Sequence, residues 1–245
     1  MRKQLYLSRI LPQCGGVLLA LLLGACGGGD SATPAAPQAK LMGSVAVTVV
    51  AADYQTVSQQ IYLAYFGRPA DPSGMVNLES QLLAAGAPTT IEALGTAYDS
   101  NPALRAIIDT FGASAESATL YASDNDAEFV IAVYRHVLGR EPLLAGLSYW
   151  AAALQSGLPR TKTSLTITAA ALGNSSPQGQ LDAAAIANKT LGATLFTAAT
   201  TQEAYSTAAA AARARDLMAA ITASSTEEEI KRIISGDLPV VTPGT

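Results

Sequence analysis

The chain is poor in the residues from which most chemical sites are assembled. Its 245 residues include two cysteines, one histidine and one tryptophan, and only 14% are charged. Cys14 and Cys26 both lie near the N-terminus. His136 has no second imidazole to share a zinc ion and no nucleophile elbow to serve, so neither a zinc tetrahedron nor a hydrolase triad is built on it. No glycine-rich phosphate loop, redox cysteine pair or convincing acid pair is present. Acidic residues outnumber basic ones, 19 to 15, which argues against the clustered basic face of a nucleic-acid binder. The longest apolar run, Gly15–Leu23, is about half of the roughly 20 residues that span a bilayer. Low charge and a mean hydropathy of +0.26 exclude a disordered chain of the highly charged kind.

What the chain has is alanine and leucine, punctuated by helix starts and stops. Alanine has the best intrinsic helix propensity. Val57, Ile61, Ala64 and Tyr65 form one helical face that ends at Gly67. Asp71-Pro72 pairs an N-cap carboxylate with proline at the first helical position, opening a helix to Gly86. Thr89 with Glu92 reads as a capping box, and Asn101-Pro102 opens a helix that ends near Gly112. Asn125 with Glu128 starts one through Val130, Val133, Tyr134 and Val137 to Gly139, and Pro142 starts one that ends at Gly157. Further helices are expected at 162–172, 180–198 and 204–222. Ser225 with Glu228 caps a last one that stops at Gly236. Val45–Val50 reads as extended entry into the first helix. The expected fold is all-α, a bundle of αα-hairpins over residues 53–236, with a frayed tail at 237–245.

The N-terminus resembles a bacterial lipoprotein signal. Arg2, Lys3 and Arg9 precede the apolar run, which leads into Leu23-Gly24-Ala25-Cys26. The resemblance implies a signal peptide at 1–25, cleavage before Cys26, a lipid on its sulfur and an acyl chain such as palmitate on its new N-terminus. Gly27 follows the cysteine in place of Asp, which by the enterobacterial sorting rule implies the outer membrane. Both cysteines would then be unavailable for a disulfide. Residues 26–52, rich in Gly, Ala and Pro, read as a lipidated flexible linker. The processed chain keeps 12 basic residues against 19 acidic, net −7, so acyl chains rather than charge would hold it to the membrane.

At a constant offset of 72, Tyr62-(x)4-Gly67-Arg68-(x)5-Gly74 matches Tyr134-(x)4-Gly139-Arg140-(x)5-Gly146. Each copy, near 57–86 and 128–157, reads as helix, Gly-Arg stop, proline-bearing turn and second helix. This is an αα-hairpin used twice, each covering the other's apolar stripe. The copies resemble the DUF4214 domain, whose pattern is roughly Tyr-x-x-x-Leu-Gly-Arg-x-Pro-Asp-x-x-Gly-x-x-x-Trp, over about residues 50–190. The first copy keeps Asp71 but has Leu78 in place of Trp; the second keeps Trp150 but has Leu143 in place of Asp. The stretch from Asp182 to Asn188-Lys189 resembles one found downstream in surface-layer proteins. The resemblance implies a fold and a surface setting, with no common chemistry.

Arg68 and Arg140 stand at helix ends, where a cation can bond terminal carbonyls; the same fork fits a sugar phosphate. Trp150 is expected in the core against Tyr134 and Leu138, and an indole also stacks on carbohydrate. Arg68, Arg140 and Trp150 are therefore the candidate ligand contacts, and Cys26 the candidate lipidation site. Asp71 reads first as an N-cap. Asp124–Glu128 opens like an EF-hand loop but lacks the glycine at position six and the glutamate at position twelve. No catalytic, cofactor or metal residue is assigned. The expectation is a lipid-anchored envelope protein that binds a surface-layer protein or surface polysaccharide. The alternatives are a glycan-active enzyme using Asp71 and Glu141, and a structural spacer.

Overall fold

Asp71, Asn101 and Asn125 each precede an apolar period, and each becomes an N-cap. Their side-chain oxygens accept from the backbone N–H groups of Gly74, Leu104 and Glu128 at 2.8–3.0 Å, which satisfies a helix-end donor. The computed structural model describes residues 48–121 and 125–236. The chain divides into Met1–Ala46 and Val47–Thr245, and only the second unit is described. The signal, Cys26, nearly all of the linker and the tail expected at 237–245 lie outside the described residues.

Thr48–Val50 has no regular structure, with Val50 extended, and leads through a 3-10 turn, Ala51–Tyr54, into α1 (Gln55–Phe66). There follow α2 (Pro72–Ala84), α3 (Ile91–Ala97), α4 (Pro102–Gly112), α5 (Ala115–Tyr121) and α6 (Asp126–Leu138). The second half holds α7 (Leu144–Gln155), α8 (Arg160–Leu172), α9 (Pro177–Ala199), α10 (Ala208–Ala220) and α11 (Glu227–Ser235). Among the described residues the fold is all-helical, with no strand. No described helix is long and apolar enough to cross a membrane.

Several boundaries differ from those expected from sequence. The caps are Thr90 and Thr226, not Thr89 and Ser225. In each case two adjacent hydroxyl residues offer a cap, and the register that buries Ile91 or Ile230 and Ile234 decides between them. Pro142 lies two residues before α7, whose N-cap is Leu143, without a side-chain bond. Ser176 caps α9 ahead of the expected start, and Thr207 caps α10 after it. The short α5 carries too few residues to show a period.

α1 is the hub. Nine of its residues are buried, and it packs on α9, α6, α2 and α8. It carries no charge, and its buried Gln59 is satisfied, Nε2 donating to the carbonyl of Ala193 and to the Thr197 hydroxyl, so it can be covered on several sides. The larger core gathers α1, α6 and their neighbours; a smaller one joins Leu63 to Ala193, Phe196, Met218, Ile221 and Ile230.

The repeated residues form one physical device. Gly67 and Gly139 close their helices at φ 63° and 69°, a region open to glycine without steric cost. The guanidinium of Arg68 lies 5.4 Å from the Tyr62 ring, and that of Arg140 lies 5.2 Å from Tyr134. The second glycine makes room for the tyrosine. A Cβ at Gly74 would overlap the Tyr62 hydroxyl, and one at Gly146 would lie 3.1 Å from the Tyr134 hydroxyl.

α9 is the strut that bolts these parts together. Asp182 pairs with Arg140 through both carboxylate oxygens at 2.6 Å. Asn188 donates to the carbonyls of Thr222, Ala223 and Ser225. Lys189, 1% exposed, donates from Nζ to the carbonyl of His136 at 2.7 Å and so caps the last turn of α6. Burial lowers the Lys189 pKa to about 8. The Asp182–Lys189 stretch thus carries a load in the fold: it ties the second repeat and the C-terminal loop to one helix.

Candidate functional site

Arg68 follows the positive-φ glycine that ends α1, which aims its side chain across the first turn toward α5. Its Nε and Nη2 donate to the two oxygens of Glu116 at 2.6 and 2.7 Å, and Nη1 donates to the carbonyl of Pro69 at 2.9 Å. The fork-to-fork pairing is the strongest geometry available to this pair. Rings of Tyr62, Phe66 and Tyr205 surround the guanidinium at 5.3–5.4 Å. Burial opposes the charge on Arg68, but the hydrogen bonds and charge of Glu116 outweigh it and raise its pKa. Tyr62 and Tyr205 are both pushed up to about 12, chiefly by burial, so both phenols stay protonated.

Glu116 also accepts from Arg215 Nη1 at 3.0 Å. Two guanidiniums therefore share one carboxylate at the wall of a cleft of about 420 Å³ between α5 and the first turns of α10. Thr119, Ser206 and Thr207 bring hydroxyls to this cleft, and Ala115, Leu120 and Ala211 supply an apolar lining. The N-terminus of α10, capped by Thr207, adds the positive end of its dipole. Locally the cleft holds two cationic side chains and a helix N-terminus against one anion, which favours an anionic or polyhydroxylated guest.

The remaining sequence candidates lie elsewhere. Arg140 is not among the cleft's lining residues; it is held by Asp182 and by the carbonyl of Glu141. Trp150 is 7% exposed and donates from Nε1 to the Tyr134 hydroxyl at 3.1 Å. Asp71 caps α2, and Glu141 pairs with Arg135 at the surface. Neither carboxylate lines the cleft. Asn125 and Glu128 form a reciprocal capping box, and Asp126 pairs with Arg160; Asp124 lies outside the described residues. Among the described residues no group of three or more His, Cys, Asp or Glu is placed to hold a metal ion. Glu116, Tyr205 and Arg215 stand in no motif of the sequence. Glu116 and Tyr205 join Arg68 across separations of 48 and 137 residues, and Arg215 joins Glu116 across 99; no local pattern carries such pairings.

His136 sits behind this region, its Nδ1 3.1 Å from the Tyr121 hydroxyl. Burial, then the positive charges of Lys189, Arg215 and Arg135, lower its pKa to about 4 from 6.5. The folded state thus holds His136 neutral where the unfolded chain binds a proton. Stability from this group is fully present above pH 6.5 and is lost as pH falls toward 4, a loss of at most about 3 kcal/mol. His136→Gln should remove that slope: urea midpoints measured from pH 7.5 to 4 should fall less steeply than in the wild type. Parallel curves would show that His136 does not titrate this way.

In comparisons with known proteins, the family described as Domain of unknown function (DUF4214) matches residues 108–171. The match takes in the second copy of the repeat with α5 and most of α8, and leaves the first copy outside. No match was found among curated proteins, and none among solved structures.

Proposed function

We propose that the protein is a binding module of the bacterial envelope, anchored by lipid at Cys26, whose folded unit takes an acidic saccharide into the cleft beside Arg68 and Arg215. The observation that carries this reading is the charge imbalance there: two guanidiniums and a helix N-terminus share the single carboxylate of Glu116. A uronate or sugar phosphate would reach the outer guanidinium of Arg215, whose side chain is 23% exposed, and the first turn of α10. The ring hydroxyls would meet Thr119, Ser206 and Thr207. The anchor is supported by the Leu-Gly-Ala-Cys pattern and its basic lead-in; stable retention then follows from more than one acyl chain.

Two measurements test the two halves. Arg215→Gln should weaken binding of purified acidic envelope polysaccharide about tenfold, the loss of one charge-assisted hydrogen bond, with helicity unchanged. Arg140→Ala, outside the cleft, should bind as the wild type does. Equal binding by Arg215→Gln, or no preference for acidic over neutral polysaccharide, would remove the cleft from the reading. Separately, Cys26→Ser should leave the membrane fraction on detergent phase partition, and an unchanged membrane fraction would remove the anchor.

A further inference from the structure

The two arginines of the cleft are held very differently. Arg68 commits its whole fork: Nε and Nη2 donate to Glu116, and Nη1 donates to the Pro69 carbonyl and, at 3.3 Å, to the Tyr205 hydroxyl. Three aromatic rings enclose its guanidinium, and its side chain is 11% exposed. Among the described residues Arg215 makes one side-chain hydrogen bond, from Nη1 to Glu116 Oε1 at 3.0 Å. That oxygen already accepts from Arg68 Nε at 2.6 Å, so Arg215 takes the longer share of a divided acceptor. Its side chain is 23% exposed and lines the cleft.

The two ends of this bond belong to different parts of the core. Glu116 stands on α5, which packs on α1 and α4; Arg215 stands on α10, which packs on α6, α9 and α11. The Arg215–Glu116 pair therefore bridges the two walls of the cleft. Glu116 does not depend on it, because Arg68 grips both carboxylate oxygens.

We infer that Arg215 is the movable ligand contact of this cleft and Glu116 its built-in competitor: the carboxylate holds Arg215 while the cleft is empty, and an anionic guest draws it away. The inference rests on the reading of the cleft as an acidic-saccharide site. An anion arriving at Arg215 replaces one charge-assisted hydrogen bond with another, so the exchange costs little. Arg68 cannot be drawn off in the same way, since all of its bonds would break together in a largely buried setting. The Glu116 carboxylate meanwhile repels the arriving anion. It thus sets affinity for acidic guests below what the two guanidiniums alone would give, while keeping Arg68 in place.

Calorimetric titration of the whole purified chain with galacturonate and with galactose, sugars of the same configuration with and without a carboxylate, tests this. Glu116→Gln should bind galacturonate about tenfold more tightly than the wild type, the gain from removing one like charge beside the guest, even though its fold is weakened. Galactose binding should change far less. A purely structural Glu116 predicts the opposite sign, weaker binding from a looser cleft. The wild type gives a second readout should that variant lose its helical circular dichroism. In heteronuclear NMR spectra, with the Arg215 signal identified by its loss in Arg215→Lys, saturating galacturonate should shift the Arg215 Nε–H resonance and leave that of Arg68 nearly fixed. Unchanged or weaker galacturonate binding by folded Glu116→Gln, or an Arg215 resonance that stays fixed on binding, would overturn the inference and leave the reading of the cleft intact. Equal binding of galacturonate and galactose by the wild type would remove that reading and the inference with it.

Discussion

Replacing Trp150 with alanine is expected to destabilise the folded unit by about 3–5 kcal/mol, the range for removing a large aromatic side chain from a packed core. Trp150 is 7% exposed and belongs to the main core with Tyr134, Val137 and Leu138. Its ring also meets Tyr149 edge-on at 4.9 Å. Truncation would leave a void and strip the Tyr134 hydroxyl of its indole donor. Trp150→Phe keeps much of the buried area but removes part of the indole with its hydrogen bond, so its cost should fall between the ~1 kcal/mol of one such bond and that of full truncation. Urea unfolding followed by circular dichroism measures both. The wild-type emission offers an independent check, because the sequence has one tryptophan. A blue-shifted native spectrum agrees with this packing, and emission at the exposed-indole wavelength would contradict it.

Glu116→Gln is expected to be the most damaging single change in the cleft. It leaves Arg68, whose side chain is 11% exposed, with no carboxylate, and sets it close to a second guanidinium, Arg215, with the neutralising charge gone. Loss of one partner of a buried ion pair costs about 3–5 kcal/mol, because the remaining charge stays desolvated and uncompensated. Glu116 is 29% exposed, and glutamine still accepts a hydrogen bond, so the cost should fall toward the lower end of that range. Glu141→Gln is the matched control. It breaks an ion pair with Arg135 in which the Arg135 and Glu141 side chains are 63% and 57% exposed, and pairs of that kind are worth at most about 1 kcal/mol. Thermal melts of the two variants should separate widely. Similar melting temperatures would show that Glu116 does not hold the two arginines together.

The helical class and several helix ends are legible in the chain itself, because they depend on neighbours in sequence. A cap side chain reaches a backbone N–H three residues on, as with Asp71 to Gly74 and Asn125 to Glu128, and a glycine stop acts on its own φ. Such contacts are written in windows of four residues. The repeat is legible for the same reason: Tyr, Gly-Arg and Gly recur at a fixed spacing, and the close approach of each tyrosine to its second glycine explains why those residues recur together.

The caps that local pattern misplaces by one residue are those where the local chemistry is degenerate. Thr89 and Thr90, or Ser225 and Thr226, offer the same hydroxyl, and only burial of Ile91 or Ile230 in the assembled core chose one register. The arginines show the same division. That Arg68 and Arg140 stand at helix ends beside glycine follows from sequence; that one meets Glu116, which Arg215 shares, and the other Asp182, does not. Those partners come from α5 and α9, which pack on α1, and from α10, which packs on α6 and α9. The sequence by itself determined where the repeat lies and which longer segments are helical, through interactions a few residues long, while the short α5 escaped it. Tertiary packing alone decided which charges meet across tens of residues, because a carboxylate's partner depends on which helix the core lays beside it.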